Sequence, residues 1–178
     1  TELGIDNYYI SQIGDNFGRL LDLLRRAWDR STLIIMTGGL GPTEDDLTRE
    51  GIAALLGEEM QVQPDLEAHL RAWFGRRGIQ MAERNLKQAT LIPSAQALPN
   101  PVGTAPGWWV EKDGRIIVAM PGVPNEMRLM WDQQVTPRLR LRQGAVIVSR
   151  TLKILGLGES TVEEMLAEQV HSTDPTVA

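Results

Sequence analysis

The sequence predicts an α/β protein built on a parallel sheet, and two observations carry that prediction. Leu33-Ile34-Ile35-Met36 is a short apolar run bounded by turn residues, the pattern of a strand buried on both faces. It runs directly into Thr37-Gly38-Gly39-Leu40-Gly41-Pro42-Thr43-Glu44-Asp45-Asp46-Leu47-Thr48, a glycine-rich turn followed by a helical pattern. A second apolar run, Ile116-Ile117-Val118-Ala119-Met120, ends the same way, in Pro121-Gly122-Val123-Pro124-Asn125-Glu126-Met127. In a parallel sheet both turns face one crevice outside the carboxyl ends of the strands, where ligands of open α/β sheets collect.

The elements follow in order. Gly4 to Ile13 carries Ile5, Tyr8, Tyr9, Ile10 and Ile13 and reads as a strand ending at Gly14-Asp15-Asn16. Asp15 or Asn16 caps a helix on Phe17, Leu20, Leu21, Leu24, Ala27 and Trp28, and the 33–36 strand completes a β–α–β unit. A helix beginning near Asp45 carries Ile52, Leu55 and Leu56 and stops at Gly57. Pro64 opens another on Leu66, Leu70, Trp73 and Phe74, and a polar helical stretch runs from Met81 to Gln88. Residues 60–92 thus form an inserted helical lid. Pro93 to Pro106 is rich in Pro, Gly, Ala and Asn and reads as a loop crossing the top of the sheet. Trp108-Trp109-Val110 and Arg115 to Met120 form a hairpin on the Asp113-Gly114 signal, and Met127, Met130 and Trp131 face inward from the next helix. After the Gln143-Gly144 break, Val146 to Leu155 reads as a strand, Gly156-Leu157-Gly158 as a turn and Glu159 to Val170 as a helix. These open a smaller second domain over 143–178, distinct from the first over 1–142.

Composition excludes several functions. The chain has 178 residues, 42% apolar and 23% charged, with a net charge of −5 that gives no overall reason to bind nucleic acid or an anionic membrane. Arg138-Leu139-Arg140-Leu141-Arg142 is the one basic run, and a solvated face over a domain junction accounts for it. With no cysteine, disulfides, thiolate metal sites and cysteine nucleophiles are excluded. No apolar run reaches about 18 residues and no signal-peptide pattern is present, so residence in the cytoplasm is expected. His69 and His171 are isolated, leaving no histidine-based catalysis. The start at Thr1 and the end at Pro175-Thr176-Val177-Ala178 suggest a piece of a longer product. The tryptophan-rich lid permits a homodimer.

The chemistry implied is phosphate handling. Glycines let backbone N–H groups approach a phosphate, and the following helix adds its amino-terminal partial charge. Neither G-x-x-x-x-G-K-[ST] nor G-x-G-x-x-G occurs, which disfavours a P-loop kinase or a Rossmann dehydrogenase. The N–H groups of Gly38, Gly39 and Gly41 with the hydroxyls of Thr37 and Thr43 are expected to hold one phosphate. Gly103, Thr104, Pro121, Gly122 and Asn125 complete the binding set from the other two loops. Asp46 and Glu126 are the expected ligands of a divalent cation (Mg, Mn or Co), with Glu126 alternatively a general base and Asp15 a third acidic candidate. Each carboxylate also has a structural explanation: first-turn residues opposing a macrodipole for Asp46 and Glu126, an N-cap for Asp15.

Taken in order, these segments resemble the competence/damage-inducible protein A (CinA) family, whose amino-terminal part is a molybdenum-cofactor-biosynthesis (MogA/MoaB-like) domain. The resemblance rests on Gly4-Ile5-Asp6 with Ile13-Gly14-Asp15-Asn16, on Thr37 to Thr48, and on Asn100-Pro101-Val102-Gly103-Thr104-Ala105-Pro106-Gly107. Met120 to Met127 and Leu155-Gly156-Leu157-Gly158-Glu159-Ser160 extend it. It implies a three-layer, mostly parallel, molybdopterin-binding-domain-like fold with a helical insertion and the start of a smaller α+β domain. It further implies metal-assisted ADP-ribose pyrophosphatase activity, giving AMP and ribose 5-phosphate, with Asp46 in the place of the related domains' essential aspartate and Asp15 at a second acidic position. Nicotinamide-nucleotide amidase activity belongs to a carboxy-terminal domain that these residues do not resemble. Two rivals remain open: a molybdopterin- or nucleotide-binding adenylyltransferase, and a non-catalytic nucleotide-sensing module linked to competence or DNA damage.

Overall fold

The computed structural model describes residues 3–142 and 151–172. The chain separates into two compact units, Leu3–Val146 and Ile147–Ala178. In the first, Asn16 caps helix α1 (Phe17–Arg30) by accepting from the Arg19 N–H, and the amphipathic spacing buries Leu20 and Leu24. Strand β1 (Leu33–Thr37) follows, then the glycine-rich loop and helix α2 (Thr48–Leu56), closed by Gly57. The two helices meet closely at Gly51, where a Cβ would touch Leu20 and Leu24.

The insertion comprises β2 (Gln61–Val62), α3 (Pro64–Gly75) and a 3-10 segment (Glu83–Ala89), with β2 pairing antiparallel to β3 (Thr90–Leu91). Next come β4 (Ala95–Leu98), β5 (Gly107–Lys112) and β6 (Arg115–Met120), then α4 (Pro124–Met130), a π-helical turn (Trp131–Val135) and α5 (Thr136–Arg142). Asp113 and Gly114 both take positive φ, 51° and 73°, as a two-residue hairpin turn requires.

The main sheet runs β1-β6-β5-β4, with β1 parallel to β6 and the other two pairs antiparallel. The α/β class holds, in a mixed sheet. Alternation along the hairpin sends Trp108, Val110, Ile117 and Ala119 to one face, where Ile52 and Ala53 of α2 pack. It sends Trp109, Val118 and Met120 to the other, against Met130, Val135 and Leu139. The sheet is therefore the middle of three layers.

Several sequence expectations are corrected. Residues 4–13 form no strand: Tyr8 and Ile10 are exposed, the Tyr8 hydroxyl bonds Asp6, and Tyr9 lies under the Arg30 guanidinium. The β–α–β unit is accordingly absent, and β1 is an edge strand with Ile35 45% exposed. The expected burial on both faces is corrected with it, since no β1 residue is fully buried: an apolar run by itself establishes neither covered faces nor paired edges. The 93–106 loop contains β4, whose Ala-Gln-Ala-Leu sequence has no β-branched residue to reveal it. Arg138 and Arg142 are not merely a solvated face: both stand over the Trp109 ring, and Arg142 pairs with Glu111.

In the second unit, the expected 146–155 strand lies partly outside the described residues, and 151–155 form no regular element. The helix expected over 159–170 divides at Leu166 into α6 (Glu159–Met165) and α7 (Ala167–Val170).

Candidate functional site

The parallel pairing of β1 and β6 sets Thr37 opposite Met120, so the glycine-rich loop and the Pro121-Gly122 turn leave the sheet side by side. Gly38 donates to the Met120 carbonyl at 2.9 Å, and a Cβ on Gly122 would stand 3.3 Å from the Gly38 Cα. Gly38 and Gly39 have φ of 92° and 67°, a left-handed pair that turns the chain sharply off the strand.

The loop carbonyls are bound from inside. The Thr48 hydroxyl donates to Gly38 O at 2.8 Å, the Thr48 N–H to Gly39 O at 3.1 Å, and the Arg49 guanidinium to Leu40 O at 2.7 Å. A trans peptide points its N–H opposite to its C=O, so the N–H groups of Gly39, Leu40 and Gly41 are turned the other way. Those of Gly39 and Leu40 have no hydrogen-bond partner among the described residues; the expected Gly38 and Gly41 donors are corrected, since Gly38 is taken by the Met120 carbonyl and Gly41 by the Asp46 carboxylate. Thr43 donates to Asp46 through its N–H, at 3.0 Å, and through its hydroxyl. Burial pushes the Asp46 carboxyl up, but the Thr43 hydroxyl, the Gly41 and Thr43 N–H groups and the Lys87 charge outweigh it and hold the pKa below its ordinary value.

This Thr43–Asp46 closure explains why α2 starts at Thr48 and not near Asp45. The Asp46 carboxylate accepts from the Thr43 N–H as in half of a capping box, but the Asp46 N–H goes to the Thr43 backbone carbonyl, the turn ends there and Leu47 provides no side-chain cap. Asp46 therefore precedes the helix, and its role as a first-turn carboxylate is overturned.

On the opposite side, Asn100 organises the 100–106 loop. Its Oδ1 accepts from the Val102 and Gly103 N–H groups, and its amide donates to Ala105 O at 2.9 Å and to the Glu126 carboxylate at 2.7 Å. Thr104 accepts from the Gln88 amide at 3.1 Å. The three loops thus bring together every expected binding segment. Thr37, Gly38, Gly39, Gly41, Thr43 and Asp46 lie in the first, Gly103 and Thr104 in the second, and Pro121, Gly122, Asn125 and Glu126 in the third. Asp15 stays outside this network: it is exposed ahead of α1, Asn16 makes the cap, and Asp15 has no hydrogen bond or ion pair among the described residues.

Three residues were missed by sequence reasoning. Asn100 was quoted only within a motif, although an Asn before Pro is an Asx-turn signal. Arg49 is fully buried, and burial lowers its pKa to about 10 against the raising charges of Glu50 and Asp46. Its position one turn before buried Ile52 and Ala53 was the available sign. Arg49 also donates to Pro106 O at 3.4 Å, linking the first two loops. Lys87 reaches from the insertion to Thr43 O, Asp46 O and the Glu50 carboxylate, and nothing local in the sequence announces that.

Among the described residues no three His, Cys, Asp or Glu side chains gather as a metal cage. The two expected metal-ligand carboxylates stand on different loops, Asp46 held by Gly41 and Thr43 and Glu126 by Asn100, and each offers hard oxygen of the kind a divalent ion takes. No described helix is long and apolar enough to cross a membrane.

Comparison with known proteins agrees with this architecture. The family model described as "Probable molybdopterin binding domain" matches residues 1–141, and that described as "Damage-inducible protein CinA KH domain" matches residues 149–178. A "CinA-like protein" of Thermomicrobium roseum is 52% identical over 177 residues, covering 99% of this chain and 44% of that protein. Another, of Deinococcus radiodurans, is 50% identical over 181 residues, covering 99% of this chain and 45% of its own length. The chain therefore spans less than half the length of these curated relatives. The crystal structure of the protein CinA, of unknown function, from Thermoplasma acidophilum superposes with a TM-score of 0.63 at 33% identity, covering 69% of this chain and 72% of that one.

Proposed function

The chain belongs to the CinA family, and from that premise we propose that it hydrolyses ADP-ribose to AMP and ribose 5-phosphate with the help of a divalent metal. The observation that supports this most is the inward binding of the Gly38, Gly39 and Leu40 carbonyls, which leaves the Gly39 and Leu40 N–H groups as donors for a phosphate. Two carboxylates accompany that cradle, one on each side. Asp46 is held ionised by its donors, and Glu126 is oriented by the Asn100 amide.

In the reaction a water oxygen adds to one phosphorus, the bridging P–O bond breaks, and Glu126 takes the proton released by the water. Loop N–H groups stabilise charge on the phosphoryl oxygens where water is displaced. A divalent ion, which Asp46 would hold, with Glu126 as second ligand in the alternative to its role as base, would supply further charge neutralisation there. The residues of this chain otherwise bind and orient: Thr37 beside the cradle, Thr43 holding the Asp46 carboxylate, Gly103 and Thr104 opposite, and Pro121, Gly122 and Asn125 along the adjoining turn.

The test is release of AMP from ADP-ribose with Mg²⁺, Mn²⁺ or Co²⁺ and with EDTA, for wild type and Asp46→Asn. Metal-dependent release that falls by about a thousandfold in the variant is the expected result. Folded protein without turnover overturns it. Adenylylated product from ATP would then favour a transferase, and tight ADP-ribose binding unchanged by the substitution would favour a sensing module.

A further inference from the structure

The inserted segment over 60–92 reads from its sequence as a lid, but its Lys87 performs a different task. Its ammonium group has three N–H donors, and three protein oxygens take them. The Thr43 carbonyl lies at 3.0 Å, the Glu50 carboxylate at 2.9 Å, and the Asp46 carbonyl completes the set. With its donors occupied, Lys87 has none left for a ligand. The same trans-peptide geometry then applies to the outer half of the loop: a bound Thr43 carbonyl turns the Glu44 N–H away, and a bound Asp46 carbonyl turns the Leu47 N–H away. Neither of those N–H groups has a partner among the described residues.

Thr48 and Arg49 fix the inner half of the loop from within α2; the outer half is closed on itself by Thr43 and Asp46 and is tied to the rest of the fold by Lys87, 41 positions away from Asp46. We infer that Lys87 is a positioning residue, which aligns the N–H groups of Glu44 and Leu47 to extend the anion cradle from one phosphate to both phosphates of a diphosphate ester. The adjacent Gln88 binds Thr104 of the opposite loop, so the insertion steadies both walls from consecutive residues. This inference rests on the diphosphate reading of the site.

Its test compares Lys87→Met, Lys87→Arg and Lys112→Met with wild type in the 178-residue chain. Lys112 is a matched control, because it makes the same kind of bridge, to the Leu56 carbonyl and the Glu58 carboxylate, away from the loop. Binding of ADP-ribose and of AMP is measured by calorimetry in EDTA, together with thermal stability and the separate KM and kcat for AMP release. Lys87→Met is expected to weaken ADP-ribose about tenfold and AMP much less, since AMP has a single phosphate and needs only the inner half of the loop. Lys87→Arg should not rescue it, because a planar fork does not match three diverging acceptors. Lys112→Met should lower Tm by a similar amount and leave both affinities unchanged. Equal weakening of AMP and ADP-ribose, or wild-type affinity in Lys87→Met, overturns the inference while wild-type turnover still stands. Wild type that neither binds nor cleaves ADP-ribose overturns the diphosphate reading and this inference with it.

Discussion

The two walls of the crevice are built by opposite means. The glycine-rich wall, 38–48, is tied by four separate groups, the Thr48 hydroxyl, the Thr48 N–H, Arg49 and Lys87, drawn from α2 and from the insertion. The 100–106 wall depends mainly on one amide side chain, Asn100, which also orients Glu126. Loss of one anchor leaves the glycine-rich wall with the others. Loss of Asn100 removes the bonds to Val102, Gly103 and Ala105 together and frees the Glu126 carboxylate at the same time.

Between the two walls, the largest expected loss of stability is therefore at Asn100. Asn100→Leu leaves the Gly103 N–H and Ala105 carbonyl unpaired and releases Glu126, which should cost about 3 kcal/mol of stability. AMP release should fall by about a hundredfold from misplacement alone. Denaturant unfolding and the turnover assay read both. Arg49→Met should cost less, about 2 kcal/mol, because the orphaned Leu40 and Pro106 carbonyls are partly offset by removal of a buried cation. A larger loss at Arg49 than at Asn100 would break the comparison.

Two glycines sharpen it. A Cβ at Gly41 would run into the Asp46 carboxylate, a short side chain pinned by Thr43, whereas a Cβ at Gly103 would meet the Glu126 carboxylate and the Asn100 amide. The longer Glu126 can swing aside. Gly41→Ala should thus cost about 1–2 kcal/mol, and Gly103→Ala under about 1 kcal/mol while lowering kcat about tenfold. Equal stability losses in the pair would argue that both carboxylates are held alike.

The smallest effect concerns pH. Asp46 has a depressed folded pKa, so its stabilising contribution is complete above the unfolded value of 3.8 and is lost as pH falls through the lowered folded value. The Tm difference between wild type and Asp46→Asn should be constant near neutrality and shrink only below that window. A difference already shrinking at neutral pH would show that another group is responsible.

How much of this was legible can be judged element by element. The helix at Phe17, its Asn16 cap, the Asp113-Gly114 hairpin and the strand–glycine loop–helix order were all readable, because each is written in residues within a few positions of one another. Even the reciprocal bonding of Thr43 and Asp46 is local, although its consequence for the start of α2 was misjudged. Fewer of the features that shape the site were readable. Tyr8, Tyr9 and Ile10 have the composition of a strand but find no strand partner among the described residues, Tyr8 bonding Asp6 and Tyr9 lying under Arg30 of α1, since strand pairing is decided by what lies alongside.

The sequence by itself determined the α/β class, the three loops that meet at the strand ends, and the presence of Asp46 and Glu126 among them. Periodicity, turn chemistry and glycine placement act over short distances along the chain, and those forces suffice for that much. Only the tertiary structure decided how the glycine-rich loop is tied to its surroundings. Lys87 reaches the Asp46 carbonyl across 41 residues, and Arg49 joins the loop to Pro106 across 57. A side chain's hydrogen-bond partner over such separations is set by packing, which brings the donor to the carbonyl only after the layers have assembled.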